Sequence, residues 1–322
     1  LSSRAGFIAL VTATAAMAAI LAPAGATAAV VHPSVSTGGI SNLTPSSVIL
    51  HGSLDAHGQP TNFVFQYGTT KSYGAQTPLS PGGNRTTSFP VALAVAGLQA
   101  NTTYHYRILA TSATGAVPGV DRAFTTPKVP LSLQIAGAPN PVPFSSPFAV
   151  QGTLFGTAGA GRGVALQANP FPYTAGFTTL GNSELTSSTG TFSFPVVGLS
   201  TNTQLRVVTT SAPFISSPVL VEGVAVRVTF HVQRVHRPRR GEFFRMYGTV
   251  TPAEVGAHVG FQLMRPGAPS SNQGGTIITS GSSTVARFST VVRIRHRGVY
   301  EALVQVFDGS HVSAYSAPIR IR

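Results

Sequence analysis

Two stretches of this chain repeat each other at an offset of 95 to 100 residues, and their shared segments are short. Phe148-Ala149-Val150-Gln151-Gly152-Thr153-Leu154 is matched by Phe244-Arg245-Met246-Tyr247-Gly248-Thr249-Val250. Gly161-Arg162-Gly163-Val164-Ala165-Leu166-Gln167 is matched by Gly256-Ala257-His258-Val259-Gly260-Phe261-Gln262. Phe192-Ser193 is matched by Phe288-Ser289, and Ser217-Pro218-Val219-Leu220-Val221 by Ala317-Pro318-Ile319-Arg320-Ile321. Apolar residues at every second position lie on one face of a strand. A period near 100 residues is long enough for a complete domain with its own core. The chain is therefore expected to be all-β and modular.

The residues ahead of the repeat carry the same signal. Phe63, Phe65 and Tyr67 alternate, as do Tyr104, Tyr106 and Ile108, and turn residues lie between the apolar runs at His57-Gly58-Gln59-Pro60, Pro81-Gly82-Gly83-Asn84 and Ala113-Thr114-Gly115. Leu98-Gln99-Ala100-Asn101-Thr102-Thr103-Tyr104-His105-Tyr106-Arg107 resembles the tyrosine-corner segment of a fibronectin type III domain. Arg122-Ala123-Phe124-Thr125-Thr126-Pro127 resembles its closing strand, and Phe65-Gln66-Tyr67-Gly68-Thr69-Thr70 with Tyr73-Gly74 resembles the bacterial subtype. The resemblance covers about residues 31–127. It departs from the pattern at Ala100, where proline is usual, and in lacking an early-strand tryptophan, whose space Leu50 or a neighbour fills. It implies that Leu98 and Tyr104 are structural, the ring packed in the core and the hydroxyl tied to nearby backbone. The two repeated units resemble bacterial immunoglobulin-like repeats. The corner spacing recurs from Leu199 to Leu205, with leucine in the tyrosine position, and from Ile294 to Tyr300, with tyrosine restored.

These readings give a fold class of tandem immunoglobulin-like and fibronectin type III β-sandwiches after an N-terminal signal peptide. The signal is read from Arg4, the apolar run Ala5 to Ala22 and the small-residue exit Pro23 to Ala29, with cleavage after Ala28. Residues 31–127 form the fibronectin-like domain, 130–222 the first immunoglobulin-like sandwich and 223–322 the second. The implied location is secreted, extracellular or on the cell surface. Arginine outnumbers lysine 19 to 2, the coding bias of a GC-rich bacterial genome.

No catalytic constellation is legible. The eight carboxylates Asp55, Asp121, Glu184, Glu222, Glu242, Glu254, Glu301 and Asp308 are scattered, as are the nine histidines. No serine sits in a nucleophile elbow, and the chain has no cysteine for thiol chemistry or thiolate metal binding. The expectation is a protein that is not an enzyme, with no cofactor and no metal site.

The strongest deviation is basic charge. Residues from Gly223 onward hold 13 arginines and four carboxylates, whereas residues 1–222 hold eight bases and four acids. Arg234, Arg237, Arg239 and Arg240 crowd a turn, and Arg293, Arg295 and Arg297 alternate as residues of one strand face would. Guanidinium forks suit phosphate and carboxylate. These seven arginines are the candidate contacts for an anionic cell-wall polymer or polysaccharide. No aromatic interleaves with them in sequence, which sets a dedicated nucleic-acid site aside. Two role classes stand side by side: a binding or adhesion module, and a structural spacer or accessory part of a surface enzyme system.

Overall fold

The computed structural model describes residues 31–137, 140–236 and 241–322. The signal-peptide reading and Arg237, Arg239 and Arg240 lie outside the described residues. Those residues contain strands, turns and irregular segments but no helix. The protein is an all-β tandem of sandwich domains.

The first sandwich packs a three-stranded sheet against a broader one. Ser34–Ser41, Ser47–Asp55 and Phe89–Ala96 make the first sheet. Thr61–Gly68 and Thr103–Ser112 form the centre of the second, edged by Ala75–Gln76, Ser80–Gly83, Gly115–Pro118 and Arg122–Thr125. Period two decides which side chains go inside: Tyr104, Tyr106, Ile108 and Ala110 are buried, while the residues between them are not. Leu50 is fully buried in this core, beside Val48 and Leu54. Tyr104 stacks its ring on Phe124 at 5.7 Å, and Leu98 is buried nearby.

The same plan recurs twice. Ser132–Ala136, Phe148–Phe155 and Thr191–Val196 face a sheet centred on Gly163–Pro170 and Thr203–Thr209. Arg227–Val235, Glu242–Thr251 and Ala286–Ile294 face a sheet centred on His258–Arg265 and Gly298–Gln305, with Ala268–Ile277, Ala314–Tyr315 and Ile319–Ile321 at its edges. Each of the three sandwiches has its own buried cluster. By contact density the chain forms two compact units, and the second and third sandwiches belong to one of them.

Two of the repeated sequence features now have a physical cause. Gly152 stands directly across from Phe192, and Gly248 from Phe288. A Cβ at either glycine would lie 2.5 or 2.6 Å from that phenylalanine ring, so the ring occupies the place a side chain would take. In the fold Ser217 corresponds to Ser316, one position from the Ser217–Ala317 match of the sequence; both are buried, and their hydroxyls accept the backbone N–H of Val207 and Ala302 at 3.0 and 2.9 Å. The corner tyrosine of the third sandwich is fully buried, and its hydroxyl donates to the His296 carbonyl at 2.5 Å. Burial pushes the Tyr300 phenol above its ordinary range. In the second sandwich Leu205 fills the same place with no hydroxyl to satisfy.

Candidate functional site

The basic surface is built on the sheet Arg227–Val235, Glu242–Thr251 and Ala286–Ile294. Alternation along the last strand buries Ala286, Phe288 and Ile294 and turns Arg287, Ser289 and Arg293 outward. Val292 packs against the core, as period two requires. The strand ends at Ile294, however, so Arg295 and Arg297 stand in the turn that leads to Gly298–Gln305 and are not rungs of a strand ladder. Arg234 lies inside Arg227–Val235, ahead of the turn to which the spacing assigned it.

The arginines divide into two groups. Arg297 closes on Glu242 with both of its fork nitrogens, Nη2 at 2.5 Å from Oε1 and Nε at 3.3 Å from Oε2. Arg234 adds a contact to Oε1 at 3.3 Å. The Arg297 hydrogen bond, with the charges of Arg297 and Arg234, holds the Glu242 carboxyl below its ordinary range, and Glu242 raises Arg297 in return. These two guanidiniums are therefore largely neutralised by a neighbour.

Arg293 and Arg295 have no hydrogen-bond or ion-pair partner among the described residues. Together with Arg265, also unpaired, they line a polar cleft of about 600 Å³ bordered by Asn272, Gln273 and the Gly274–Gly275 backbone. The Arg293 guanidinium lies over Gly241, where a Cβ would meet its Nε at 2.7 Å. Arg265 was missed by sequence reasoning because 28 positions separate it from Arg293; only the hairpin of His258–Arg265 with Ala268–Ile277 brings it in.

Aromatics lie on the same sheet beside arginines outside the seven singled out by the sequence. The register sets Tyr247 opposite His231 on one side and Ser289 on the other. His231 stacks on Tyr247 with ring centroids 5.4 Å apart, and the Arg245 guanidinium lies 5.4 Å from the Tyr247 centroid. Arg287 lines the same shallow groove of about 480 Å³. An aromatic therefore sits among these arginines, through pairing of strands that local sequence does not display. The only carboxylate on these three strands is Glu242, already engaged by Arg234 and Arg297. The outer face thus presents Arg245, Arg287 and Arg293 around Tyr247 and His231 with no opposing acid.

No family model matches the sequence, and no curated protein matches it. Among solved structures the chain is similar to a tetra-tandem repeat in the extending region of a large adhesion protein. That likeness has 14% identity, covers 90% of this chain and 74% of that one, and has a TM-score of 0.30. It is also similar to the FN1–FN3 domains of chicken CNTN1, at 13% identity over 88% of this chain and 96% of that one, with a TM-score of 0.27.

One group of titratable residues gathers elsewhere. Glu254, and Asp308 and His311 more than 50 residues further on, bring potential ligand atoms within 4.8 Å of one another. Each is already engaged. His311 Nδ1 lies 2.7 Å from Glu254 Oε1, and its Nε2 lies 2.7 Å from the Ser200 carbonyl of the second sandwich. A carbonyl only accepts, so Nε2 carries a proton. Asp308 accepts from the Ser310 backbone at 3.0 Å and from its hydroxyl. Burial outweighs the His311 charge and pushes the Glu254 carboxyl up. For Asp308, burial is outweighed by the Ser310 hydrogen bonds, and the carboxyl is held down. Asn202 completes this joint between the second and third sandwiches. Its backbone N–H donates to Ser310 O at 2.7 Å, its amide nitrogen to Gly309 O at 2.8 Å, and its amide oxygen accepts Val224 N–H at 2.7 Å. The cluster reads as a fastening.

Proposed function

We propose that this chain is a non-catalytic extracellular binding or adhesion module whose third sandwich lays a basic sheet face against an anionic polymer, a wall phosphopolymer or an acidic polysaccharide. The observation that carries this reading is the outer face of Arg245, Arg287 and Arg293, which has no acid opposite it and continues into the cleft of Arg265 and Arg295. Arg287 and Arg293 have no partner among the described residues, and Arg245 gives only its Nε, to the Ser289 hydroxyl at 2.9 Å, so the remaining N–H groups are free to take the carboxylates or phosphates of a ligand. Tyr247 and His231 between them offer a flat apolar surface to a sugar ring or a base. Arg234 and Arg297 contribute less, because Glu242 already occupies them. Export follows from the layout of Arg4 to Ala28.

The spacer reading is favoured by the joint at Asn202 and His311, which ties the second sandwich to the third. The two readings part on binding. The full mature chain is expected to be retained on polygalacturonate and on teichoic-acid resin at low salt. Release is expected as salt approaches 1 M, where the Debye length falls to about 3 Å. Retention no greater than on an uncharged resin leaves only the spacer. Stronger retention on DNA than on either polymer overturns the choice of ligand.

A further inference from the structure

Glu222 is fully buried, and neither of its carboxylate oxygens has a hydrogen-bond partner among the described residues. Burying a carboxyl without a partner is costly, so such a position has to be explained. The internal repeat shows how unusual this one is. Strand register places Ser217 with Ser316, one position from the sequence match, and five residues beyond them stand Glu222 and Ile321, each opposite the residue two before the corner position, Thr203 and Gly298. Both end a short edge strand whose last residue turns into the core. The third sandwich uses isoleucine there, and the second uses an ionisable acid, fully buried, in the same strand position.

The location gives the acid a consequence. Glu222 runs directly into the joint between these sandwiches. The next residue, Gly223, accepts Val142 N–H at 2.9 Å and donates to Asn140 Oδ1 at 2.9 Å. Val224 pairs in parallel with Val142, and its carbonyl accepts Val312 N–H from the third sandwich at 2.7 Å. Val226 N–H donates to Val312 O at 3.1 Å. We infer that Glu222 is a proton-controlled latch: it is held inside as the neutral acid while the joint is closed, and its ionisation draws the strand end outward and loosens the joint.

Desolvation alone pushes the Glu222 carboxyl from 4.5 up to about 7. Among the described residues no charged group faces it from the elements packed around it. Thr203 pairs with it across the sheet, Gly137 lies over the carboxylate, and Leu220 flanks it on its own strand. The other titratable groups of the joint, Glu254, Asp308 and His311, are engaged with one another and with Ser200 and Ser310. The sign follows. Between pH 4.5 and 7 the closed form keeps a proton that the open form has released, so closure weakens as pH rises through that window and levels off above it.

The test is hydrogen exchange on the full chain at the amides of Val142, Val224, Val226 and Val312 from pH 5 to pH 8, with the intrinsic pH dependence of exchange divided out. Protection in the wild type is expected to fall roughly 70-fold over that range, the ratio set by a carboxyl moving from about 4.5 when open to about 7 when closed. Glu222→Gln, isosteric with the neutral acid, and Glu222→Ile, the residue of the repeat, should each stay level within about twofold, a carboxyl-free site having no such linkage. A level wild-type profile overturns the inference. So does an equal loss of protection in Glu222→Gln, which would assign the pH response to Glu254 and His311 instead.

Discussion

Replacing His311 by alanine is expected to cost the unit formed by the second and third sandwiches about 3 kcal/mol, the loss typical of breaking a buried pair from one side. The side chain is 8% exposed and touches both sandwiches at once, through Glu254 in the third and the Ser200 carbonyl in the second. Its removal leaves the Glu254 carboxyl buried beside Asp308 without the imidazole that bonds to it. Denaturant unfolding followed from both sandwiches should show their transitions moving apart, because the fastening is lost while each core is untouched. Pairing the change with Glu254→Gln should cost less than the sum of the two single changes, since each removes the same contact. A loss below about 1 kcal/mol, ordinary for an exposed pair, contradicts the fastening role.

Gly248→Ala is expected to destabilise the third sandwich by about 3 kcal/mol, the upper end for overpacking a core. Its new Cβ would lie 1.9 Å from the Thr229 carbonyl oxygen and 2.6 Å from the Phe288 ring. The ring could rotate away, but the carbonyl belongs to the neighbouring strand and moves only if the ladder does. Gly152→Ala should behave alike, with Gln134 O at 2.3 Å and the Phe192 ring at 2.5 Å. Gly39 is the control, because nothing lies within 4 Å of a Cβ there. Its alanine variant should stay within about 0.5 kcal/mol of wild type, as ordinary surface changes do. Equal stabilities for Gly39→Ala and Gly248→Ala would show that the phenylalanine–glycine pairing does not constrain the fold.

Period two made the fold legible. The alternation of Tyr104, Tyr106 and Ile108 fixes a buried face without reference to any distant residue, and the corner spacing from Ile294 to Tyr300 identifies a hydroxyl that does bond upstream backbone. The site was only partly legible, because strand pairing and turn positions are not local properties. The alternation of Arg293, Arg295 and Arg297 looked like a ladder, but the strand stops one residue past Arg293. Arg265, Tyr247 and Arg287 join the basic surface through hairpins and register, and nothing in their immediate neighbours announces it. Glu242 was no more than one scattered carboxylate in sequence, yet it decides which arginines are free. The joint of Asn202, Glu254 and His311 has the same character: its members lie in separate turns and meet only where two sandwiches abut.

The central claim is that particular arginines, and not net charge, hold an anionic polymer. The most direct measurement compares two charge-matched variants of the mature chain on polygalacturonate resin across a salt gradient. Arg287→Ser/Arg293→Ser removes two guanidiniums from the proposed face. Arg320→Ser/Arg322→Ser removes two from the other sheet of the same sandwich, where Arg320 is carried by an edge strand. At about 1 kcal/mol per arginine near an anionic surface, the first variant should bind roughly 30-fold more weakly and elute at clearly lower salt. The second should elute close to wild type. Coelution of the two variants would contradict the account and reduce the basic face to a solvated surface.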